Sequence, residues 1–269
     1  MIKRLVRTGR CDIIHSLGKV LGRRLAFLPV SLMVIAPHPD DEVLGCGGLI
    51  ARVLAAGGRV LVLVLTGGER SHFHCCNLDG EAIKQARRDL TLKAAERLSL
   101  PADNIVFFDW GDGRLADCGP KEWCGKAGEI RSWIQRWEPE AVFAPHPWEG
   151  WPDHVAAEKL TRLAVERSGV SCRLFHYCVW FWYYLPLRMA LAADWRGARL
   201  LDISGVHPQK QAAMEIYLKP RAPCGNPWSG VLPRELVGAL RWKKELFFEA
   251  HTPQVTSPEQ RLCVPDRRL

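Results

Sequence analysis

Residues 33–48 read MVIAPHPDDEVLGCGG: an apolar run, then His38, two adjacent aspartates and Glu42, then a cluster of glycines. The apolar run belongs to a strand over 31–36 (SLMVIA), and GCGGLIARVLAAGG (45–58) is a helix. RVLVLVLTGG (59–68) is a second, fully apolar strand. Strand, helix and strand without polar alternation form a βαβ unit on a parallel sheet buried on both faces. The alternation continues with a helix over 78–100 closed by Pro101, a strand over 104–110 (NIVFFDW), a helix over 125–139 and a strand over 140–146 (EAVFAPH). This pattern predicts the α/β class, a doubly wound, mainly parallel sheet with helices on both faces. Beyond residue 172 the pattern is less regular, with an aromatic-rich CRLFHYCVWFWYYLPLR (172–188) and many prolines in the tail.

In such sheets ligands bind beyond the C-terminal ends of the strands. PHPDDE (37–42) and PHPWEGWPDH (145–154) both fall on that edge. A histidine and an aspartate three residues later can converge on one cation from a strand-to-helix turn, and a second histidine from a distant loop completes three ligands with one position open. His38, Asp41 and His154 meet that requirement. Asp40 is then free to take a proton from water activated by the metal. The following glycines are expected to let the backbone turn tightly and start the helix close to the ion. An isolated H-x-x-D is more simply a helix-capping aspartate beside a surface histidine, but three successive acids on the ligand-binding edge exceed what a cap requires.

The chain has 269 residues, 48% of them hydrophobic and 25% charged, which suits a globular protein with a sizeable core. Its net charge is +8. Seven cations against Asp12 alone place +6 of this within residues 1–30, which leaves about +2 on the rest and argues against a nucleic-acid face. We expect a basic N-terminal helical segment (1–30) and a single domain over 31–269. Residues 13–28 (IIHSLGKVLGRRLAFL) have helical amphipathic spacing, which suits docking on the chain's own body or, alternatively, peripheral contact with an anionic membrane. Leu25–Ala36 reads as leading into a strand, without the cleavage site of a targeting segment. The ten cysteines include no C-x-x-C pair, so neither a zinc knuckle nor a disulfide scaffold is indicated, and a reducing cytoplasm fits best.

APHPDDEVLGCGG, LVLTGGERSH, ARRDLTLKAAERLSL and PHPWEGWPDHVAAEKL resemble the PIG-L/LmbE-like family of zinc-dependent de-N-acetylases, nearest to bacterial members found with polysaccharide genes. The resemblance covers roughly residues 30–220. It implies a Rossmann-like fold, zinc (or another divalent metal such as Fe2+) on His38, Asp41 and His154, and Asp40 as general base. The implied reaction removes an N-acetyl group from an amino sugar, free or on a lipid- or nucleotide-linked glycan.

One position departs from the family pattern. The second motif usually reads His-Pro-Asp-His, its first imidazole serving the tetrahedral oxyanion, whereas here Trp151 occupies that place. Three readings stay open. An imidazole comes from His72, the preferred candidate, or from His146 or His74; the metal and Asp40 act without one; or the protein binds sugar without catalysis. Glu69 and Arg70 are candidate sugar contacts, as is Trp151, and any of Trp180, Trp182, Tyr183 and Tyr184 could stack on a sugar ring. A dinucleotide oxidoreductase is excluded, since no G-x-G-x-x-G follows the first strand.

Overall fold

The computed structural model describes residues 2–250. Helix α1 (Ile2–Leu21) leads through a two-residue strand β1 (Arg23–Arg24) into β2 (Ser31–Ala36), α2 (Asp41–Ala55) and β3 (Arg59–Thr66). Then follow α3 (Gly80–Arg97), β4 (Ile105–Trp110), α4 (Pro120–Trp137), β5 (Ala141–Pro145), α5 (Pro152–Ser168) and β6 (Arg173–Tyr177). The last third adds α6 (Phe181–Tyr184), α7 (Leu187–Ala192), β7 (Ala198–Asp202), α8 (His207–Leu218), α9 (Arg234–Leu240) and β8 (Lys244–Glu249).

One eight-stranded sheet has the order β1-β7-β8-β6-β5-β2-β3-β4. All neighbours are parallel except β8, which runs antiparallel to both β6 and β7. The doubly wound α/β expectation therefore holds, and the irregular last third supplies an antiparallel insertion that the sequence pattern did not reveal.

The apolar runs of β2 and β3 alternate between two cores instead of between core and water. Leu32, Val34, Ala36, Val60, Val62 and Val64 join the larger cluster, packed with α2 and α8. Met33, Ile35, Leu61, Leu63 and Leu65 join the second, under α4 and α5. Burial on both faces is why these strands carry no polar alternation. β2 lies between β3 and β5, so the turns leaving β2 and β5 are neighbours at one edge of the sheet.

The glycines of α2 have a different duty from the one expected. They lie inside the helix, and a Cβ at Gly45 would sit 2.3 Å from the Tyr177 ring, while one at Gly48 would sit 2.5 Å from Ile203. They permit close approach of α2 to its neighbours, not the turn itself.

Helix α1 packs on the chain's own body. Cys11 and Ile14 are buried in the larger core, and the His15 ring rests between Trp182 and Trp242. Arg7 and Lys19 lie over the rings of Tyr183 and Trp242. The docked alternative thus describes this helix, and its buried stripe is not free to enter a membrane. Among the described residues no helix is long and apolar enough to cross one.

Candidate functional site

The turn after β2 is fixed before any ligand is considered. Thr66, at the end of β3, donates from its backbone N–H and its hydroxyl to the carbonyl of Pro37, at 3.0 and 2.9 Å. Asp40 takes φ = 123°, a region that L-residues rarely occupy. Its backbone N–H donates to Glu42 (3.0 Å), whose other oxygen accepts from the Tyr217 hydroxyl of α8 at 2.5 Å. Glu42 is thus a brace for the strained turn.

Three elements meet on one carboxylate oxygen. Oδ2 of Asp41, at the start of α2, lies 3.3 Å from Nδ1 of His38 and 3.2 Å from Nε2 of His154, in the first turn of α5. His154 is steered from behind by the fully buried Glu149, whose Oε2 lies 3.4 Å from His154 Nδ1. Glu149 also accepts backbone N–H groups of Val179, Trp180 and Phe181 (2.9, 2.5 and 3.1 Å), which ties the segment between β6 and α6 to the same turn. On the far side of His38, Nε2 lies 3.2 Å from Asp112 and 3.3 Å from Asp153. Asp153 is held by the backbone N–H groups of Gly113 (2.6 Å) and Leu115 (3.1 Å). Carboxylates behind ligand imidazoles orient the rings and raise their basicity.

The electrostatics fit a cation. Burial opposes charge on His38, but its hydrogen bonds to Asp112, Asp153 and Asp41 win and raise its pKa well above the ordinary value. Burial likewise opposes charge on His154, yet Asp41 and Glu149 raise it to about 9. Asp41 resists burial through the two imidazoles and stays ionised well below the usual carboxylate range. The surrounding acids thus favour positive charge at both rings, and a divalent cation would supply that charge. His38, Asp41 and His154 together, and His38, Asp112 and Asp153 together, each bring ligand atoms within 4.8 Å of one another. His154 belongs only to the first set, and Asp112 and Asp153 flank the opposite edge of the shared imidazole.

Asp40 lies beside this centre. Burial, reinforced by Asp41 and Glu42 and opposed by Arg87, pushes its pKa up to about 8. Arg87, buried in α3, reaches Oδ2 of Asp40 (3.3 Å) and the carbonyls of Pro39 (2.5 Å) and Gly68 (3.0 Å). A cavity of about 520 Å³ opens over the group, lined by His38, Asp40, Asp41, His154, Arg70, His74, Arg87, Asp112, Trp151 and Trp180 among others.

The remaining expected residues divide. Arg70 and Trp151 line the cavity, but Glu69 does not. Glu69 accepts the backbone N–H of Asp112 (3.0 Å) while the N–H of Arg70 donates to the Asp112 carboxylate (2.8 Å), so this pair positions Asp112. His72 is not brought to the cavity: its Nε2 lies 3.1 Å from the Trp228 carbonyl and its Nδ1 lies among the sulfurs of Cys75, Cys76 and Cys224. His146 is also elsewhere, buried against Phe181 and Phe248, with its Nδ1 accepting from the backbone of Trp148 (3.1 Å). Burial and the neighbouring His176 hold its pKa well below the ordinary value. His74 is the one expected substitute imidazole that lines the cavity.

Fold and site define an α/β protein with a carboxylate-imidazole centre at the C-terminal edge of a parallel sheet. Residues 33–165 match the model of the PIG-L family, described as GlcNAc-PI de-N-acetylase. Among curated proteins, the 1D-myo-inositol 2-acetamido-2-deoxy-alpha-D-glucopyranoside deacetylase of Actinosynnema mirum is 32% identical over 177 residues, 55% of this chain and 59% of that protein. The chain spans less than two thirds of the length of the first curated relatives it matches, 59%, 60% and 57%. Among solved structures, the N,N'-diacetylchitobiose deacetylase of Pyrococcus horikoshii superposes with a TM-score of 0.56 at 21% identity, covering 76% of this chain and 77% of that one. GalB, the 4-carboxy-2-hydroxymuconate hydratase of Pseudomonas putida KT2440, reaches 0.60 at 23% identity, covering 84% and 98%. A deacetylase and a hydratase thus share this fold, so the fold alone does not choose the reaction.

Proposed function

We propose that the chain is a metal-dependent hydrolase that removes the N-acetyl group of an N-acetylated amino sugar, with His38, Asp41 and His154 as metal ligands and Asp40 as general base. The observation that carries this reading is the convergence of two imidazoles on one oxygen of Asp41, at 3.3 and 3.2 Å, on the wall of a cavity that Asp40 also lines. Zinc suits two imidazoles and one carboxylate best, and Fe2+ fits the same donors. A divalent cation there supplies Lewis acidity, polarising the amide carbonyl and making water acidic near neutral pH.

The chain's own residues do the rest. Asp40 accepts the proton of the attacking water and, once protonated, passes it to the departing amine. Arg87 holds the Asp40 carboxylate in place. Arg70 and His74 offer donors from the cavity wall to the tetrahedral oxyanion. Trp151 is 41% exposed, edge-on to Trp180 and Tyr184, and presents a face on which a sugar ring stacks. Through Trp151 and Pro152 the cavity adjoins a second one of about 580 Å³, walled by Trp123, Trp148 and Tyr184. That aromatic annex suits the sugar or aglycone attached to the acetylated unit, lipid- or nucleotide-linked carriers included. A cytoplasmic setting is part of the reading, in keeping with ten cysteines that form no disulfide-scaffold pattern in the sequence.

The names of the deacetylase relatives support the reaction. Trp151 in place of an imidazole favours a second reading, a sugar-binding protein without turnover. Acetate release from N-acetylglucosaminyl-inositol and from diacetylchitobiose separates the two. The expected result is turnover that a chelator abolishes and added zinc restores; sugar binding with no acetate from the fully metal-loaded chain would leave the second reading.

A further inference from the structure

We propose that His72, Cys75, Cys76 and Cys224 form a second, closed zinc site that staples two walls of the cavity together. The four ligand atoms lie within 4.8 Å of one another. His72 Nδ1 is 3.3 Å from the sulfur of Cys75, 3.8 Å from that of Cys76 and 3.5 Å from that of Cys224, and the sulfurs of Cys75 and Cys224 are 3.4 Å apart. A tetrahedral ion with metal–sulfur bonds of about 2.3 Å and a metal–nitrogen bond of about 2.0 Å has edges of about 3.8 Å between sulfurs and about 3.5 Å from nitrogen to sulfur. The side chains already stand near the corners of that tetrahedron.

The imidazole is oriented for the purpose. Its Nε2–H donates to the carbonyl of Trp228 at 3.1 Å, which leaves Nδ1 as the free ligand atom. Local backbone geometry brings the rest together. The carbonyl of His72 accepts from the backbone N–H groups of both Cys75 (3.1 Å) and Cys76 (3.3 Å), folding the three ligand residues onto one side of a turn. Cys224 comes from a tight turn closed by Ala222 N–H to Asn226 O and Gly225 N–H to Ala222 O, each 2.8 Å. A single disulfide is a poorer account, because it would consume two sulfurs and leave the third and the oriented imidazole without a purpose.

Three thiolates and a neutral imidazole saturate the ion and leave no open position, the signature of a structural and not a catalytic centre. On binding, the three thiols release their protons to solvent and no electrons move, leaving a site of net charge −1. The gain is placement. Arg70, Phe73 and His74 precede or interleave the first three ligands, and residues 229–232 follow Cys224, and both stretches line the cavity. The site is sulfur-rich where the centre on Asp41 is carboxylate-rich, and the two share no ligand.

Elemental analysis and cobalt spectroscopy of the reduced, full-length protein test the proposal. The natural chain is expected to bind about two zinc equivalents. Cys76→Ser and Cys224→Ser each lose one, and His154→Ala loses the other. Cobalt-loaded natural chain and His154→Ala both show thiolate-to-cobalt charge-transfer absorption, and Cys224→Ser does not. Unchanged zinc content in the serine variants, no charge-transfer band in the cobalt-loaded natural chain, or a native disulfide whose reduction gives no zinc uptake overturns the site. If the serine variants do not fold, thiol alkylation of the natural chain decides: zinc should protect Cys75, Cys76 and Cys224 until a chelator is added, and equally fast alkylation with and without zinc contradicts the proposal.

Discussion

The centre around Asp41 lines the cavity and the cluster around Cys224 sits behind two of the loops that wall it, and the two are built from opposite materials. The first gathers carboxylates and imidazoles at the ends of β2, β4 and β5, each oriented by a further buried acid or a backbone N–H. The second gathers sulfurs from two loops, with one imidazole and no acid among its ligand atoms. Three ligands and an open side suit exchange of water and substrate, whereas four ligands and none open suit permanence. The difference teaches that ligand type and count, not proximity to the cavity, separate the reacting centre from the clamp beside it.

The sharpest way to break this comparison is Asp40→Asn. The variant keeps the shape and the Arg87 contact but removes the base, so kcat should fall by about 10²–10⁴ while metal content stays that of the natural chain. Near-normal acetate release would remove Asp40 from the chemistry. Next in size is His74→Ala, which should lower kcat by about 10²–10³ if its imidazole serves the oxyanion. His72→Ala should instead cost the sulfur-bound zinc, and the contrast between the two histidines is read by measuring turnover and metal content together.

Glu149→Gln should be milder. Its one amide oxygen can still accept from Val179 and Phe181, but the N–H of Trp180 loses its acceptor and the acid behind His154 is gone, so metal affinity at the carboxylate centre should drop by about 10–100-fold with the sulfur cluster unaffected. Competition with a chromophoric chelator measures it, and equal loss at both sites would mean the two are not independent.

The smallest effect concerns pH. In metal-free protein the pKa of His154 is raised from 6.5 to about 9 by Asp41 and Glu149 against the opposition of burial. A raised histidine pKa contributes stability that is fully present below the unfolded value and is lost as pH rises through the folded one. The Tm of metal-free protein should therefore decline as pH goes from about 6.5 to above about 9, and metal should flatten the decline. A Tm that rises over that interval would contradict the placement of the acids around His154.

What the sequence disclosed follows from how local each feature is. β2, α2 and β3 were legible because their apolar runs are buried on both faces, and the first three acids sit on one turn. β7 and β8 were not, since KELFFE is short, charged at its ends and gains its place by antiparallel pairing with strands far away in sequence. Arg87 and Asp112 were missed because each is one polar residue whose partner is tertiary, although a buried arginine in α3 and the WGDG turn after β4 mark them in retrospect. His72 was placed on the correct loop and given the wrong partner. Its side-chain direction is set by Cys224 and Trp228, about 150 positions away, and no local pattern carries that information.

The most direct test of the account is a cobalt titration of the metal-free natural chain, following thiolate-to-cobalt absorption and acetate release from an N-acetylglucosaminyl substrate in parallel. The account predicts that the absorption saturates with its own equivalent of metal without producing turnover, and that acetate release rises only as the centre on His38, Asp41 and His154 fills. Acetate release that saturates in step with the thiolate band, or none when both centres are full, would contradict it.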